Sequence, residues 1–239
     1  MRNRFLLVSV LGISIVLSAI IFGSFFYQSR IPQKSIKVVG VATKRFNSDI
    51  IKWRVSLSRS TGVSDLKNGY SLIKSDLKSF NDLLLENGFS EKDITVQPVN
   101  TNPIYSQYEK SGNPVGYNIM QNLYIVSADI TKLEKIALNP SFFFEKGIIL
   151  QNSNLEYYFS KLDRIKKELL ANATQDAKKR AEAIAKSVGD QVDRIDSARV
   201  GVFQITEPYS TEVSDYGVYN ISTKVKDITV TMNVSFSLK

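Results

Sequence analysis

The sequence has no cysteine and no histidine among its 239 residues. Without cysteine there is no disulfide framework, so the fold must rest on its own apolar core, and anchoring through a lipidated cysteine is excluded. Together the two absences exclude cysteine nucleophiles, Ser-His-Asp triads, histidine general bases and standard zinc sites. Chemistry built on carboxylates, serine, lysine and tyrosine stays open, but the expectation is a protein without enzymatic activity, with no catalytic, cofactor-binding or metal-ligating residues. A glycine-rich phosphate loop and a parallel βαβαβ rhythm are missing as well. The basic residues are scattered and form no recognition motif, so nucleic acid is not expected as a partner.

Charge is absent from Phe5 to Tyr27. As a helix this run would be about 34 Å long, enough for a bilayer core of about 30 Å. A cleaved secretory signal would carry a shorter apolar region of about 7–15 residues and a small-x-small cleavage site. Here the run ends on bulky Phe25, Phe26 and Tyr27, which suit an interfacial aromatic belt. The expected organisation is a cytoplasmic N-terminus over 1–4, a transmembrane anchor over 5–27, a linker over 28–34 and a folded domain over 35–239. Arg2 and Arg4 precede the span with no acid beside them, which holds the N-terminus inside. Arg30, Lys34 and Lys37 on the far side weaken that bias. Ser14 and Ser18 have the small-xxx-small spacing that can support helix pairing, although small residues are ordinary in a span.

The chain has 31 basic and 23 acidic residues. Leaving out Arg2, Arg4 and Arg30, 28 basic residues face the 23 acidic ones, a net +5. That surplus suits anionic lipid or acidic polymer, or simply a solvated surface. The region after the anchor is long enough for one large domain or two small ones sharing a core.

Strands are expected over 35–46 and 51–60. In the second, Ile51, Trp53, Val55 and Leu57 alternate with polar residues, the period of a sheet with one wet face. Leu66, Tyr70, Ile73, Leu77, Phe80 and Leu84 form the apolar stripe of a helix, with Ser64 or Asp65 as its cap and Gly88 as its stop. A strand over 94–105 is interrupted by Pro98 and Pro103, which marks an edge or a bulge. A strand over 116–128, a short helix over 129–138 and a strand over 148–159 follow. A long helix over 161–188 carries Leu162, Ile165, Leu169, Ala173, Ala177, Ala181, Ile184 and Val188 on one face. Strands over 192–206 and 225–238 close the chain, joined by a polar loop bearing tyrosines. This order predicts an α+β fold of largely antiparallel sheets with two main helices packed on them.

Several stretches carry a resemblance: Ile36 to Gly40, the helix end at Asn87-Gly88-Phe89, Asp93-Ile94-Thr95, Pro103-Ile104-Tyr105 with Gly116-Tyr117, and the run Ala173 to Gly189 with its spaced alanines. In order and spacing they resemble the SIMPL domain family over about 34–239. Ala42 and Ser48-Asp49 depart from the family's usual Gly and Pro-Asp. The resemblance implies a bacterial envelope protein with no established enzymatic activity; many relatives have a cleaved signal, and it is the apolar run with Arg2 and Arg4 that places this chain at the cytoplasmic membrane with its domain facing the periplasm or outside. Some relatives assemble into ring-like, channel-like oligomers, and others are linked to oxidative-stress defence. The family has no established catalytic residues to carry over.

Ser64–Lys67, Ser71–Lys74 and Ser75–Lys78 match Ser-x-x-Lys, but the companion Lys-Thr-Gly and Ser-Asp-Asn motifs of penicillin-interacting enzymes are absent. Three candidate surfaces remain for a homo-oligomer or an envelope protein partner. Tyr105, Tyr108, Tyr117, Tyr209, Tyr216 and Tyr219 cluster in or beside two loops and form an interface if the loops meet. Phe142, Phe143 and Phe144 cannot all point inward from one strand face. Ala173, Ala177, Ala181 and Ala185 let another surface approach the long helix closely. Three readings follow: self-assembly or protein binding through these residues and the final strand, a binding module with a tyrosine-lined pocket, or a hydrolase with two acids facing each other in a cleft.

Overall fold

The computed structural model describes residues 2–30, 34–106 and 112–239, with side chains described throughout except at 2–10 and 28–30. In chain order the elements are α1 (Arg2–Arg30), β1 (Ser35–Asn47), β2 (Ile50–Gly62), α2 (Leu66–Glu86), β3 (Ile94–Tyr105), β4 (Pro114–Ser127), α3 (Ile130–Ala137), α4 (Ser141–Phe144), β5 (Leu150–Tyr158), α5 (Leu162–Ser187), β6 (Val192–Val200), β7 (Gln204–Thr206) and β8 (Val225–Leu238). The fold is α+β, and every strand pair whose register is described runs antiparallel.

Among the described residues no helix is long and apolar enough to cross a membrane. The side chains described in α1 run from 11 to 27, about 25 Å of helix. The span expected over 5–27 therefore reaches beyond the described side chains.

The chain divides into two compact units of non-contiguous segments. One comprises Met1–Val41, Ala173–Val200 and Met232–Lys239; the other comprises Ala42–Asn172 and Gly201–Thr231.

In the larger unit a four-stranded sheet has the order β3-β4-β2-β5. The alternation in β2 sends Ile51, Trp53, Val55 and Leu57 into the core. There they meet Ile119, Leu123 and Ile125 of β4 and Ile73, Phe80, Leu83 and Leu84 of α2. Trp53 packs against Phe80 and Phe143, with ring centroids 5.4 and 5.7 Å apart. β3 is an edge strand, and its register against β4 shifts between Val96 and Val99, around Pro98. The proline removes a ladder donor, so the edge and the break have one cause.

The stripe of α2 differs from the expected one. Tyr70 is exposed, and Gly69 and Asp76 are buried in its place. A Cβ at Gly69 would lie 2.5 Å from Ile119 Cδ1, so the helix seats on the sheet through this glycine and turns Tyr70 outward. Tyr70 instead shares a 2.6 Å hydrogen bond with Thr101.

The second sheet has the order β1-β8-β6, with β7 also beside β8. The final strand, expected to be exposed, is thus a central one. The strand expected over 192–206 is split at Gly201, where a Cβ would meet Thr231 Oγ1 at 2.2 Å. In the smaller unit Ala173, Ala177, Ala181 and Ala185 of α5 are buried. A Cβ at Gly40 of β1 would lie 2.0 Å from the Ala173 carbonyl oxygen and 2.5 Å from Ala177 N. The close approach that alanine permits is taken up by β1. The buried row continues through Ala185, leaving Ile184 and Val188 exposed, contrary to expectation.

Candidate functional site

The expected surfaces fare differently. The alanine row is buried within its own unit. Phe143 is a core residue stacked on Phe80, Phe142 is partly buried, and Phe144 points to solvent. Proline at 140 starts the one-turn helix α4, which separates the three side chains as a strand could not. Tyr105 is exposed at the end of β3 and Tyr117 is half-buried opposite Pro103. Tyr108 lies outside the described residues. Among the described residues, no hydrogen bond or ring contact joins Tyr105 or Tyr117 to Tyr216 or Tyr219.

Among the described residues of the larger unit, the loop over 207–224 carries the most exposed aromatic and aliphatic groups. Tyr216 is 98 % exposed, Tyr209 88 % and Val213 79 %. Large apolar groups are costly to display, yet the loop is tightly held. Gln204 of β7 braces it from below: Nε2 donates to the Ser214 carbonyl at 2.7 Å, and Oε1 accepts from Val218 N at 2.9 Å. Backbone bonds link Ile205 N to the Val218 carbonyl and Asn220 N to the Ile205 carbonyl, both at 2.8 Å. Asn220 Oδ1 accepts from Ser222 N and Thr223 N, and its amide donates to Glu207 at 2.7 Å. Tyr216 therefore sits on a turn closed by Gly217 N donating to the Ser214 carbonyl at 3.1 Å.

The two ends of the loop are pinned by charge. Arg45 grips Asp227 through two bonds of 2.8 and 2.9 Å and lies 4.8 Å from the Tyr209 ring centre. This pairing holds the Asp227 carboxyl below its ordinary range. Tyr209 itself has φ 66°, an uncommon left-handed conformation for a residue with a side chain. At the other end Lys226 is 1 % exposed. Its ammonium donates to Ser48 Oγ at 3.1 Å, to the Tyr157 carbonyl at 2.9 Å and to the Thr223 carbonyl. No carboxylate bonds to it among the described residues. Burial pushes its pKa down to about 8. Tyr157 beside it is pushed up to about 12, first by burial and then by donating to Glu134 at 2.8 Å.

Sequence reasoning missed Gln204, Lys226 and the Arg59–Asp76 pair. Arg59 donates to Asp76 at 2.5 and 2.7 Å and to the Gly147 carbonyl at 2.8 Å. The signal for Lys226 was present, since it lies in phase with Ile228, Val230 and Met232 on the buried face of β8.

Among the described residues no group of acids is placed to hold a metal ion. One concavity of about 500 Å³ is lined by two acids, Glu182 and Asp190, but each faces a lysine, Lys178 at 3.8 Å and Lys34 at 3.9 Å.

Fold and surface together define an α+β protein of two antiparallel sheets whose distinctive surface is a braced aromatic loop. The chain belongs to the SIMPL family, whose model, described as a protein of unknown function (DUF541), matches residues 36–237. No curated protein matches the chain.

Proposed function

We propose that the chain is a membrane-anchored envelope protein without enzymatic activity that works by binding protein, a second copy of itself first. The apolar run over 5–27 supports the anchor, and Arg2 and Arg4 support a domain outside the cytoplasmic membrane. The observation that carries the binding reading is Tyr216, almost wholly exposed on a loop whose backbone is already ordered. A rigid tyrosine adds large contact area at little entropy cost on association. A role in envelope or oxidative-stress defence fits such a protein.

Light scattering on the full chain in mild detergent, across a concentration series, tests this. The expected result is a discrete multimer that dissociates at least about tenfold more readily in Tyr216→Ala and Val213→Ser, a loss of about 1.4 kcal/mol or more. Both variants should keep the parent melting temperature, because neither side chain is packed. A monomer at every concentration refutes self-assembly; a multimer indifferent to both variants refutes the loop.

A further inference from the structure

In the smaller unit Val39, Val41, Arg199 and Asn233, on the face of the sheet opposite the alanine row, are exposed. A concavity of about 590 Å³ lies there between Lys37 and Val39 of β1, Asn233 of β8 and Ser197 and Arg199 of β6. Arg199 and Asn233 are paired across the β6–β8 ladder, as are Ser197 and Ser235, which puts each pair on one face. No carboxylate lines the concavity. Lys37, Arg199 and Asn233 are exposed, and their side chains make no hydrogen bond or ion pair among the described residues. Lys34, Lys178, Arg180 and Arg194 of the same unit each face an acid. Exposed Val39 and Val41 flank the charged groups.

The charge is unevenly divided. Leaving out Arg2, Arg4 and Arg30, the smaller unit has 9 basic and 5 acidic residues, while the larger has 19 and 18. Lys37 lies seven positions after Arg30, the end of α1, a reach of at most about 25 Å.

We propose that this concavity docks the phosphate headgroups of the anionic bilayer from which the chain emerges, Lys37 and Arg199 meeting the phosphates and Val39 and Val41 the interfacial layer. The proposal rests on the anchor reading. Two unpaired cations with amide and hydroxyl donors between them match a phosphate diester in charge and in hydrogen bonding. The short tether supplies a high effective concentration, so even a weak headgroup site is occupied.

The absence of native cysteine makes the test clean, because Ser197→Cys takes a single nitroxide label. The full chain is placed in nanodiscs of phosphatidylcholine alone or with about 30 % phosphatidylglycerol, and exposure of the label to a water-soluble relaxing agent is measured. On anionic discs the docking equilibrium constant should rise by about thirtyfold, as two basic residues at a charged surface imply, and should fall again in Lys37→Glu/Arg199→Glu and at high salt. Equal exposure on both lipids, or equal shielding in the charge-reversed variant, overturns the proposal. Shielding on neutral discs by added inorganic phosphate assigns the site to a free phosphate and overturns the bilayer as its source. A chain that fails to co-elute with the discs overturns the anchor and this proposal together; one that co-elutes with unchanged exposure overturns this proposal alone.

Discussion

Substituting Gly40 by alanine adds one methyl group where, of the described glycines, the neighbouring atoms come closest. The new Cβ would stand 2.0 Å from the Ala173 carbonyl oxygen, 2.5 Å from Ala177 N and 2.7 Å from Ala177 Cβ. Two of these three are backbone atoms of a helix and have no rotamer to escape into. Ordinary contact begins near about 3.4 Å, so β1 and α5 must separate by more than about 1 Å. Such a shift also pulls Val41 N away from Asp176, which accepts from it at 2.9 Å, and opens gaps beside Ala181 and Ala185. Overpacking that the surroundings cannot absorb costs about 3 kcal/mol, the upper end of its range. In a domain of this size that lowers the melting temperature by about 6–12 °C. Thermal unfolding of the full chain in mild detergent measures it, and hydrogen exchange should show faster opening over 173–187. Ala177→Gly in the same chain should restore only part of the loss, because the Ala173 carbonyl still blocks the methyl. A Gly40→Ala protein within about 0.5 kcal/mol of the parent would refute the claim that this contact sets the seat of the helix.

Lys226 and the Arg59–Asp76 pair give two further expectations. The Lys226 pKa is lowered to about 8 in the folded chain against about 10.5 unfolded, so the unfolded chain holds the extra proton between those values. Stability should therefore rise with pH from about 8 towards 10, by at most about 3 kcal/mol, and Lys226→Met should flatten that rise. Above about pH 10 the raised pKa values of Tyr157 and Tyr158 act in the opposite sense, since their neutral forms are the ones the fold favours. Denaturant titrations at pH 8 and 9.5 decide the point. Asp76→Ala should cost about 3 kcal/mol by stranding the Arg59 guanidinium against the Gly147 carbonyl, whereas Arg59→Met with Asp76→Leu should stay within about 1 kcal/mol of the parent.

The elements were legible wherever one period ran unbroken. β2 alternates through four buried residues, and its core face is the expected one. Pro98 marked the bulge in β3, and Gly88, at φ 77°, marked the stop of α2. What was not legible sits where a polar residue occupies an apolar phase. Asp76 stands on the α2 stripe between Ile73 and Phe80, and Lys226 continues the buried face of β8. Pattern reading puts Asp76 on the polar face of α2 and starts the apolar face of β8 at Ile228, because the partners Arg59, Ser48 and Tyr157 lie in other elements. The alanine row was read correctly as a place of close approach, but its neighbour was not. Glycine 40 has no side chain to announce that it receives a helix. The Tyr216 loop was visible as a tyrosine-bearing polar segment; the brace from Gln204 was not, since one glutamine in a short strand carries no periodic signal.

A chain without cysteine has no covalent cross-links, and here buried polar groups stand at the points such links would occupy. Arg59 joins β2, α2 and the turn before β5; Lys226 joins the β1–β2 turn, β5 and the start of β8. Each satisfies three or more donors or acceptors drawn from segments far apart in sequence. Removing one such group strands the others, so these residues are costly to change and of little use for meeting a ligand. The same division isolates the groups with no structural task. Tyr216, Val213 and Phe144 are largely exposed, and Lys37 and Arg199 pair with nothing among the described residues. Exposed apolar groups on an ordered turn and unpaired cations in an acid-free hollow both carry unmet interactions. Function is therefore to be sought in them, while the buried charges account for the fold.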